Sequence, residues 1–260
     1  MKKFFRDMKK YRWYLLYAAR SELRAEVAGS YLNWLWWILE PLCYMLVYTF
    51  VVQVVFSSRE DYFAAFVLIG LTAWTFFNKT VQGSVNIIRK NKSVVTKIYL
   101  PKYMLVLTNM LVQTFKMLVS FALIFILMAV LGVPFTWHIL YVIPVLLVLF
   151  VVTFGAAVLF MHMGVFVRDL YQVTLVVLRL LFYMTGVFYS IPNRVPAPYG
   201  KLLLRLNPMA CLVECLRGAL LYGKVQHYVL LLVWFGLGLL VSALGILTVY
   251  RYENSYAKVI

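Results

Sequence analysis

Residues 166–222 read FVRDLYQVTLVVLRLLFYMTGVFYSIPNRVPAPYGKLLLRLNPMACLVECLRGALLY, and the architecture turns on them. An apolar helix starts behind Arg168-Asp169, runs for about 20 residues, the length of a bilayer span, and breaks at Tyr189-Ser190-Ile191-Pro192. A Pro-rich, partly basic segment comes next, then Asn207-Pro208, then a second short apolar run. In a membrane, the backbone groups freed by such a break need partners in protein or in a wet cavity, because lipid offers no hydrogen bonds. Broken helices of this kind gate pathways. Two ordinary helices joined by an external loop would give the same pattern, and spacing alone leaves both readings open.

The composition places the stretch in a bilayer. Hydrophobic residues make up 64% of the 260 and charged residues only 13%, against about 25% charged in a soluble domain. Several apolar runs exceed the roughly 20 residues that cross a membrane. The net charge of +16 is assigned to cytoplasmic loops, which collect Lys and Arg, rather than to nucleic acid. Cys43, Cys211 and Cys215 lie in or beside apolar runs with no His or carboxylate cluster to make a metal site, and read as small buried hydrophobes. No apolar core of signal-peptide length with a small-residue cleavage site follows the basic N-terminus, so the first span serves as the targeting signal.

The expected fold is an all-α membrane protein of six transmembrane helices, at about 31–56, 62–88, 103–131, 139–167, 170–189 and 228–250. Residues 1–28 form a helix in which Phe4, Met8, Tyr11 and Leu15 share one face and Lys2, Arg6, Lys9 and Lys10 cover much of the other. That pattern lies in the membrane interface. Trp34, Trp36 and Trp37 mark a membrane boundary. Helix 1 carries Glu40-Pro41, an intramembrane acid beside a kinking proline. Ser57–Asp61 make a short external turn. Helix 2 is apolar in its first half, while Asn78, Lys79, Thr80, Gln82, Ser84 and Asn86 in its second half are expected to line a hydrated cytoplasmic vestibule. His138 and His162 have no partners in sequence and read as structural. With both termini inside, 16 Lys and Arg fall on cytoplasmic segments and six on external ones, which agrees with the positive-inside rule. Five of those six lie between Ser190 and Gln226, facing an anionic ligand, headgroups or solvent.

Four ordered motifs carry a resemblance over about residues 20–260. They are the Trp-rich start of helix 1 (with Asn33 where Gly is usual), the run Asn91-x-x-Val94-Val95-x-Lys97-Ile98-Tyr99-Leu100-Pro101, the Arg168-Asp169…Tyr189-Ser190…Asn207-Pro208 region, and the tail Tyr252-Glu253-x-x-Tyr256-Ala257-Lys258. A fifth, weaker match is G-L-T-A-W-T-F-F at 70–77, which holds Trp74 and Phe77. Together they resemble the type-2 ABC exporter permeases that carry lipid-linked polysaccharides such as O-antigen, capsule and teichoic acid. The resemblance implies that residues 29–260 form the transmembrane domain and that 190–226 form an external or re-entrant gate. It implies that 89–101 form the cytosolic gate and coupling segment, with Arg89, Lys90, Asn91, Lys92, Lys97, Tyr99 and Pro101 at the contact with an ATPase. Two ATP-binding subunits, carrying ATP and Mg, and a second copy of this chain are the implied partners, in a prokaryotic plasma membrane (the inner membrane in a Gram-negative cell).

The residues themselves carry no enzyme. There is no G-x-x-x-x-G-K-[ST] phosphate loop, no H-E-x-x-H and no nucleophile elbow, so no cofactor is expected in this chain. Glu40, Lys116 and Arg179 fall near the middle of their helices, where charge is costly unless paired or wet. The expectation is that Glu40 pairs with one of these bases and the other faces a pathway, where it meets a phosphate. Aromatic residues are 17% of the chain. Rings stack on the apolar faces of sugars, and Phe182, Tyr183, Phe188 and Tyr189 near the break, followed by Tyr62, Phe63 and Phe66, are the expected lining, with Trp74 and Phe77 of helix 2 also assigned to the pathway. Export of small amphiphiles and a membrane enzyme acting on polyprenyl-linked sugars are the alternatives, the latter poorly served by nine acidic residues.

Overall fold

A computed structural model of the chain describes residues 2–29, 31–55, 60–97 and 99–259. Among them every regular element is helical. Helix α1 (Lys2–Val27) is followed by α2 (Trp36–Thr49), α3 (Phe63–Val85), α4 (Ile87–Lys90), α5 (Lys92–Lys97) and α6 (Tyr103–Val130). Then come α7 (Val142–Phe166), α8 (Leu170–Met184), α9 (Ile191–Arg194), α10 (Tyr199–Leu206), α11 (Pro208–Leu220) and α12 (Tyr228–Val259). Five segments among the described residues are long and apolar enough to cross a membrane: Trp36–Val54, Phe63–Val85, Tyr103–Val130, Trp137–Phe166 and Tyr228–Glu253. The chain is a multi-pass membrane protein.

The central helix is α3. It packs against α2, α6, α7, α8 and α11, and 78% of its apolar window is buried inside the protein. Its approach to α7 is set by Gly164, where a Cβ would overlap the Val85 carbonyl oxygen. Among the described residues α7 packs most extensively against α12. Small residues permit it, as in membrane helix pairs generally: a Cβ on Gly155 would meet Ser242 at 3.0 Å, and one on Gly245 would meet Val158 at 3.0 Å.

Several boundaries differ from those expected. The first span begins later, with a single 3-10 turn at Asn33–Leu35 before α2, and ends in a π-helical turn at Phe50–Val55. Residues 56–59, with Arg59, which hold most of the turn expected at Ser57–Asp61, lie outside the described residues, as does Ile98 of the expected coupling segment. The second span stops at Val85, and the segment expected at 89–101 is itself helical over α4 and α5. The last helix runs on to Val259. The fifth helix stops at Met184 instead of 189, leaving a helix of 15 residues, about 22 Å at 1.5 Å per residue and short of a hydrocarbon core of about 30 Å.

The segment after that short helix explains how the chain tolerates it. Gly186 turns the chain with φ +69°, a conformation open to glycine and costly for other residues. After α9 and α10, Asn207 accepts hydrogen bonds from Met209 N and Ala210 N at 3.0 and 3.3 Å, and Pro208 occupies the first turn of α11. This is a capped N-terminus with proline just inside it. Every residue of α11 from Met209 to Leu220 is buried, packed on α3, α7 and the turn before α7. The second apolar run is therefore surrounded by protein.

Arg217 holds the break together. Its side chain is 0% exposed. Nε donates to Phe66 O at 3.2 Å, Nη1 to Gly186 O at 2.9 Å and Nη2 to Val187 O at 2.6 Å. Its guanidinium carbon lies 3.4 Å from the centroid of the Phe66 ring, and Glu214 Oε2 sits 3.7 Å from Nη1. Two of the three accepting carbonyls belong to the turn that follows α8. Gly70 leaves the room for this, since a Cβ there would lie 2.8 Å from Nη2 and 3.1 Å from Val187 O. Arg217, expected among the external bases, meets neither ligand nor solvent. It serves backbone carbonyls that lipid could not satisfy.

Candidate functional site

Along α3 one stripe escapes burial. Thr75, Asn78, Lys79, Gln82 and Asn86 recur at helical spacing and are exposed or half-buried, while Thr80 and Ser84 face inward. Thr80 O accepts from Ser84 Oγ at 2.7 Å and from Asn109 Nδ2 at 3.2 Å. The polar half of this helix thus divides between a groove and a hydrogen-bonded contact with α6.

Three neighbouring cavities make up the groove, and Lys79 lines all of them. The lowest, about 650 Å³, lies between α1, α3, α5 and α6, with Glu22, Glu26, Lys90, Asn91, Gln82 and Gln113 on its walls. Next comes a small cavity of about 80 Å³ between α2, α3 and α6, lined by Trp37, Glu40, Lys79 and Lys116 among others. The third part, about 420 Å³, lies between α2, α3 and α8, where Glu40, Lys79 and Arg179 share the walls with Tyr44, Tyr48, Trp74, Phe182 and Tyr183. Beyond it the rings form a cluster: Tyr48 stacks on Phe188 at 5.7 Å with 4° between planes, and Phe182 contacts Trp74 at 5.6 Å and Phe188 at 5.9 Å. Tyr189 adjoins Phe188 at 5.5 Å, and its hydroxyl donates to Tyr183 O at 2.8 Å, bracing the end of α8.

The charges pair differently from the expectation. Glu40 Oε1 lies 3.6 Å from Lys79 Nζ, not beside Lys116 or Arg179. Lys116 Nζ is paired instead with Glu26 Oε2 of α1. Glu40 lies in the second turn of α2, on the side that meets Lys79 of α3. Both members of the Glu40–Lys79 pair are about half exposed, so it contributes at most about 1 kcal/mol and leaves both groups open to the groove. Of the expected aromatic lining, Phe63, Phe66 and Phe77 are core residues, 2%, 0% and 8% exposed. Phe66 is the ring beneath Arg217. Tyr62 is half-buried with φ 52° just before α3.

At the other end of the groove, α4 and α5 form a helical elbow. Asn91 shapes the corner: its Nδ2 donates to Ile87 O at 2.9 Å, and its carbonyl accepts from Val94 N and Val95 N at 3.0 Å. Val95, Leu100, Pro101 and Lys102 are buried, while Lys90, Lys92, Lys97 and Tyr99 are exposed or half-buried at its surface. Arg89 is turned inward, where Nη2 donates to Val165 O at the end of α7 at 2.9 Å. Lys102 Nζ donates to Leu100 O at 3.2 Å, and burial holds its pKa below the usual lysine value, against the opposing pull of Glu253.

Three polar residues then tie the elbow to both ends of the chain. Tyr103 donates to Asp7 Oδ2 at 2.8 Å, Tyr250 donates to the same oxygen at 3.0 Å, and the two hydroxyls are 2.7 Å apart. Tyr11 of α1 adds a bond to Tyr99 O at 3.3 Å. His162, read as structural, contacts the Tyr256 hydroxyl through Nδ1 at 2.7 Å. Sequence reasoning missed the Asp7–Tyr103–Tyr250 node, the groove residues Tyr44 and Tyr48, and the role of Arg217. Only Arg217 had a signal, a base three residues after Glu214 inside an apolar run that begins at Asn-Pro.

A polar groove running between the membrane-spanning helices of an all-helical, multi-pass protein is the architecture of a membrane transport subunit. The chain belongs to the ABC-2 type transporter family, whose model matches residues 15–221. It is similar to the O-antigen export system permease protein RfbA of Myxococcus xanthus, with 31% identity over 212 residues, 80% of each chain. Two proteins of Klebsiella pneumoniae with that same name match at 23% identity over 241 residues (92% of each) and at 22% over 247 residues (95% of this chain, 94% of the relative).

Proposed function

We propose that this chain is the permease subunit of an ATP-driven exporter that moves a polysaccharide outward on a polyprenyl-pyrophosphate anchor. One observation carries the reading: a single groove, with Lys79 common to all its parts, passes from a charged mouth beside α1 to an aromatic wall at the break after α8. A conduit for a sugar polymer needs both halves. Cations attract the phosphate-bearing end, and rings let sugar faces slide without reading one sequence of sugars. The names of the relatives, O-antigen export permeases, support the same cargo class.

The outer faces of α2 and α8 are bare. Only 6% of the apolar window of α2 is buried, and Tyr44, Val47, Val173, Val176 and Leu180 are exposed beside the groove. A second copy of this chain, meeting the first along these helices, closes the conduit. In this reading α8 is the fifth of six spans, shortened where the re-entrant α9–α11 segment enters from outside, and both termini are cytoplasmic. The amphipathic α1 lies in the inner interface, with Trp13, Leu16 and Tyr17 turned outward. The exposed basic face of α4–α5 docks on an ATP-binding subunit, one per permease chain. ATP and Mg act there, and this chain transmits the motion through Asn91, Tyr99 and Pro101. The host membrane is a prokaryotic plasma membrane.

The test is mass spectrometry of polyprenyl-linked glycans from cells depleted of the protein, with the intact cell surface assayed in parallel. Long lipid-linked polymer trapped inside, with the surface stripped, is the expected result. Unchanged glycans on both sides would remove the polysaccharide reading.

A further inference from the structure

A second groove, of about 380 Å³, lies between α6, α7 and α12 and shares no lining residue with the charged one. Its walls are two helical stripes rising from the Tyr103–Tyr250 contact. On α6, Leu107, Met110 and Thr114 continue the face of Tyr103, and on α12, Ile246, Ala243 and Leu239 continue that of Tyr250. Phe150 and Phe154 of α7 back it. Its two hydroxyls are already engaged, since Thr114 Oγ1 donates to Met110 O at 2.7 Å and Ser242 Oγ to Val151 O at 3.1 Å. The groove therefore offers an occupant only hydrocarbon.

The end beside the Tyr103–Tyr250 contact defines which hydrocarbon. Phe4 of α1 lines the groove there, 5.3 Å from the Tyr103 ring and 6.2 Å from that of Phe154. At the same end, in line with the α12 stripe, Lys3 Nζ sits 4.4 Å from the centroid of the Tyr250 ring, and Lys3 is exposed. From Tyr103 to Thr114, and from Tyr250 to Leu239, each wall rises about 16 Å at 1.5 Å per residue. That is about half of a hydrocarbon core of roughly 30 Å, the depth of one leaflet. An apolar slot one leaflet deep with a cation at its mouth is complementary to an acyl chain bearing an anionic headgroup.

We infer that this groove seats one acyl chain of an anionic phospholipid of the cytoplasmic leaflet, with Lys3 holding the headgroup. The leaflet rests on the cytoplasmic placement of α1 proposed above, whereas the groove and its lysine do not. The chain packs on Phe4 and so clamps the first turn of α1 against α6 and α12, next to the Asp7–Tyr103–Tyr250 node.

The test is native mass spectrometry of the full chain in detergent, titrated with dioleoyl phosphatidylglycerol or dioleoyl phosphatidylcholine. The unaltered protein holds one phosphatidylglycerol and prefers it by about fivefold, the effect of one basic residue near an anionic surface. Two fillers, Ala243→Phe and Leu107→Trp, each lower retention by roughly tenfold, the equivalent of about two methylenes of lost burial. Leu232→Trp, on an exposed face of α12, leaves it unchanged. Lys3→Glu abolishes the preference and keeps the phosphatidylcholine. Full retention in both fillers, or equal binding of the two lipids by the unaltered chain, would overturn the site. Displacement by polyprenyl phosphate at concentrations below those of phosphatidylglycerol would overturn the choice of occupant. In intact cells, Arg6→Cys in a Cys43→Ser background is labelled by an impermeant maleimide only after permeabilisation; labelling from outside would refute the topology and the leaflet assignment together, with the groove judged by the lipid titration alone.

Discussion

Replacing Arg217 by Met keeps the volume of the side chain and removes its five donors, so it isolates what the guanidinium does. Three buried carbonyls, of Phe66, Gly186 and Val187, lose their partner, and each orphaned buried group costs about 1–3 kcal/mol. Glu214, 5% exposed, is left as an uncompensated buried acid, a loss of about 3–5 kcal/mol when one member of a buried pair is removed. These terms overlap, and the net cost is on the order of 5 kcal/mol, comparable with the whole stability of many folds. At about 2–4 °C per kcal/mol for chains approaching this size, the melting temperature falls by roughly 10–20 °C. The assay is built into the chain. Cys211 and Cys215 are buried in α11 while Cys43 is exposed, so in a Cys43→Ser background a thiol-reactive dye reports the opening of this helix. Adding Glu214→Gln to Arg217→Met removes the stranded charge and recovers at least about 2 kcal/mol. An Arg217→Met protein melting within about 2 °C of its parent would refute the claim that the break in the fifth helix is held by this residue.

Four further outcomes are expected. Gly164→Val drives a side chain into the Val85 carbonyl, which a Cβ at this position already overlaps, and abolishes folded protein in detergent, whereas Gly236→Ala, with nothing within 4 Å, leaves the yield unchanged. Arg179→Glu stops glycan export in cells while the melting temperature of the purified protein holds, because the exposed guanidinium stands at the groove and not in the core. Lys97→Glu, at the exposed face of α5, weakens co-purification of the ATP-binding subunit without altering the melting temperature. Lys102→Met raises the melting temperature at pH 7, read by intrinsic fluorescence. Burial lowers the folded-state pKa of Lys102, so its charge penalty is full below that pKa and vanishes as pH rises to about 10.4, where the unfolded lysine deprotonates; the advantage of the variant disappears over the same window.

Much of the fold was legible in the sequence because spanning helices announce themselves by length and apolarity. The Asn207-Pro208 start of α11 was equally legible, since an N-cap followed by proline has one local meaning. The surroundings of α11 were not. Thirteen residues rich in Leu, Cys and Ala suit lipid or a protein core alike, and only the contacts with α3 and α7 decide between them. Arg217 was misread for the same reason: a base in an apparent loop counts as external until its carbonyl partners are located. The pairing of Glu40 failed on a different point. Depth was counted from a helix beginning near residue 31, but α2 begins at Trp36, so Glu40 lies nearer its start than counted, and Lys79, assigned to the vestibule, was not weighed as its partner. Among the aromatic candidates, Trp74, Phe182 and Tyr183 line the groove, while Phe63, Phe66 and Phe77 face the core. Those on α3 lie in an apolar run, where composition does not distinguish the two faces of a helix buried nearly all round.

The proposed export rests on the groove, and photo-crosslinking in living cells tests it most directly. A photoreactive phenylalanine analogue is placed at Tyr44, at Phe182 or, as a control on an exposed face of α12, at Leu232. Illumination is expected to yield a glycan ladder on the protein from the first two positions and none from the third. Equal labelling at all three, or labelling at Leu232 alone, would contradict a polymer path between α2, α3 and α8.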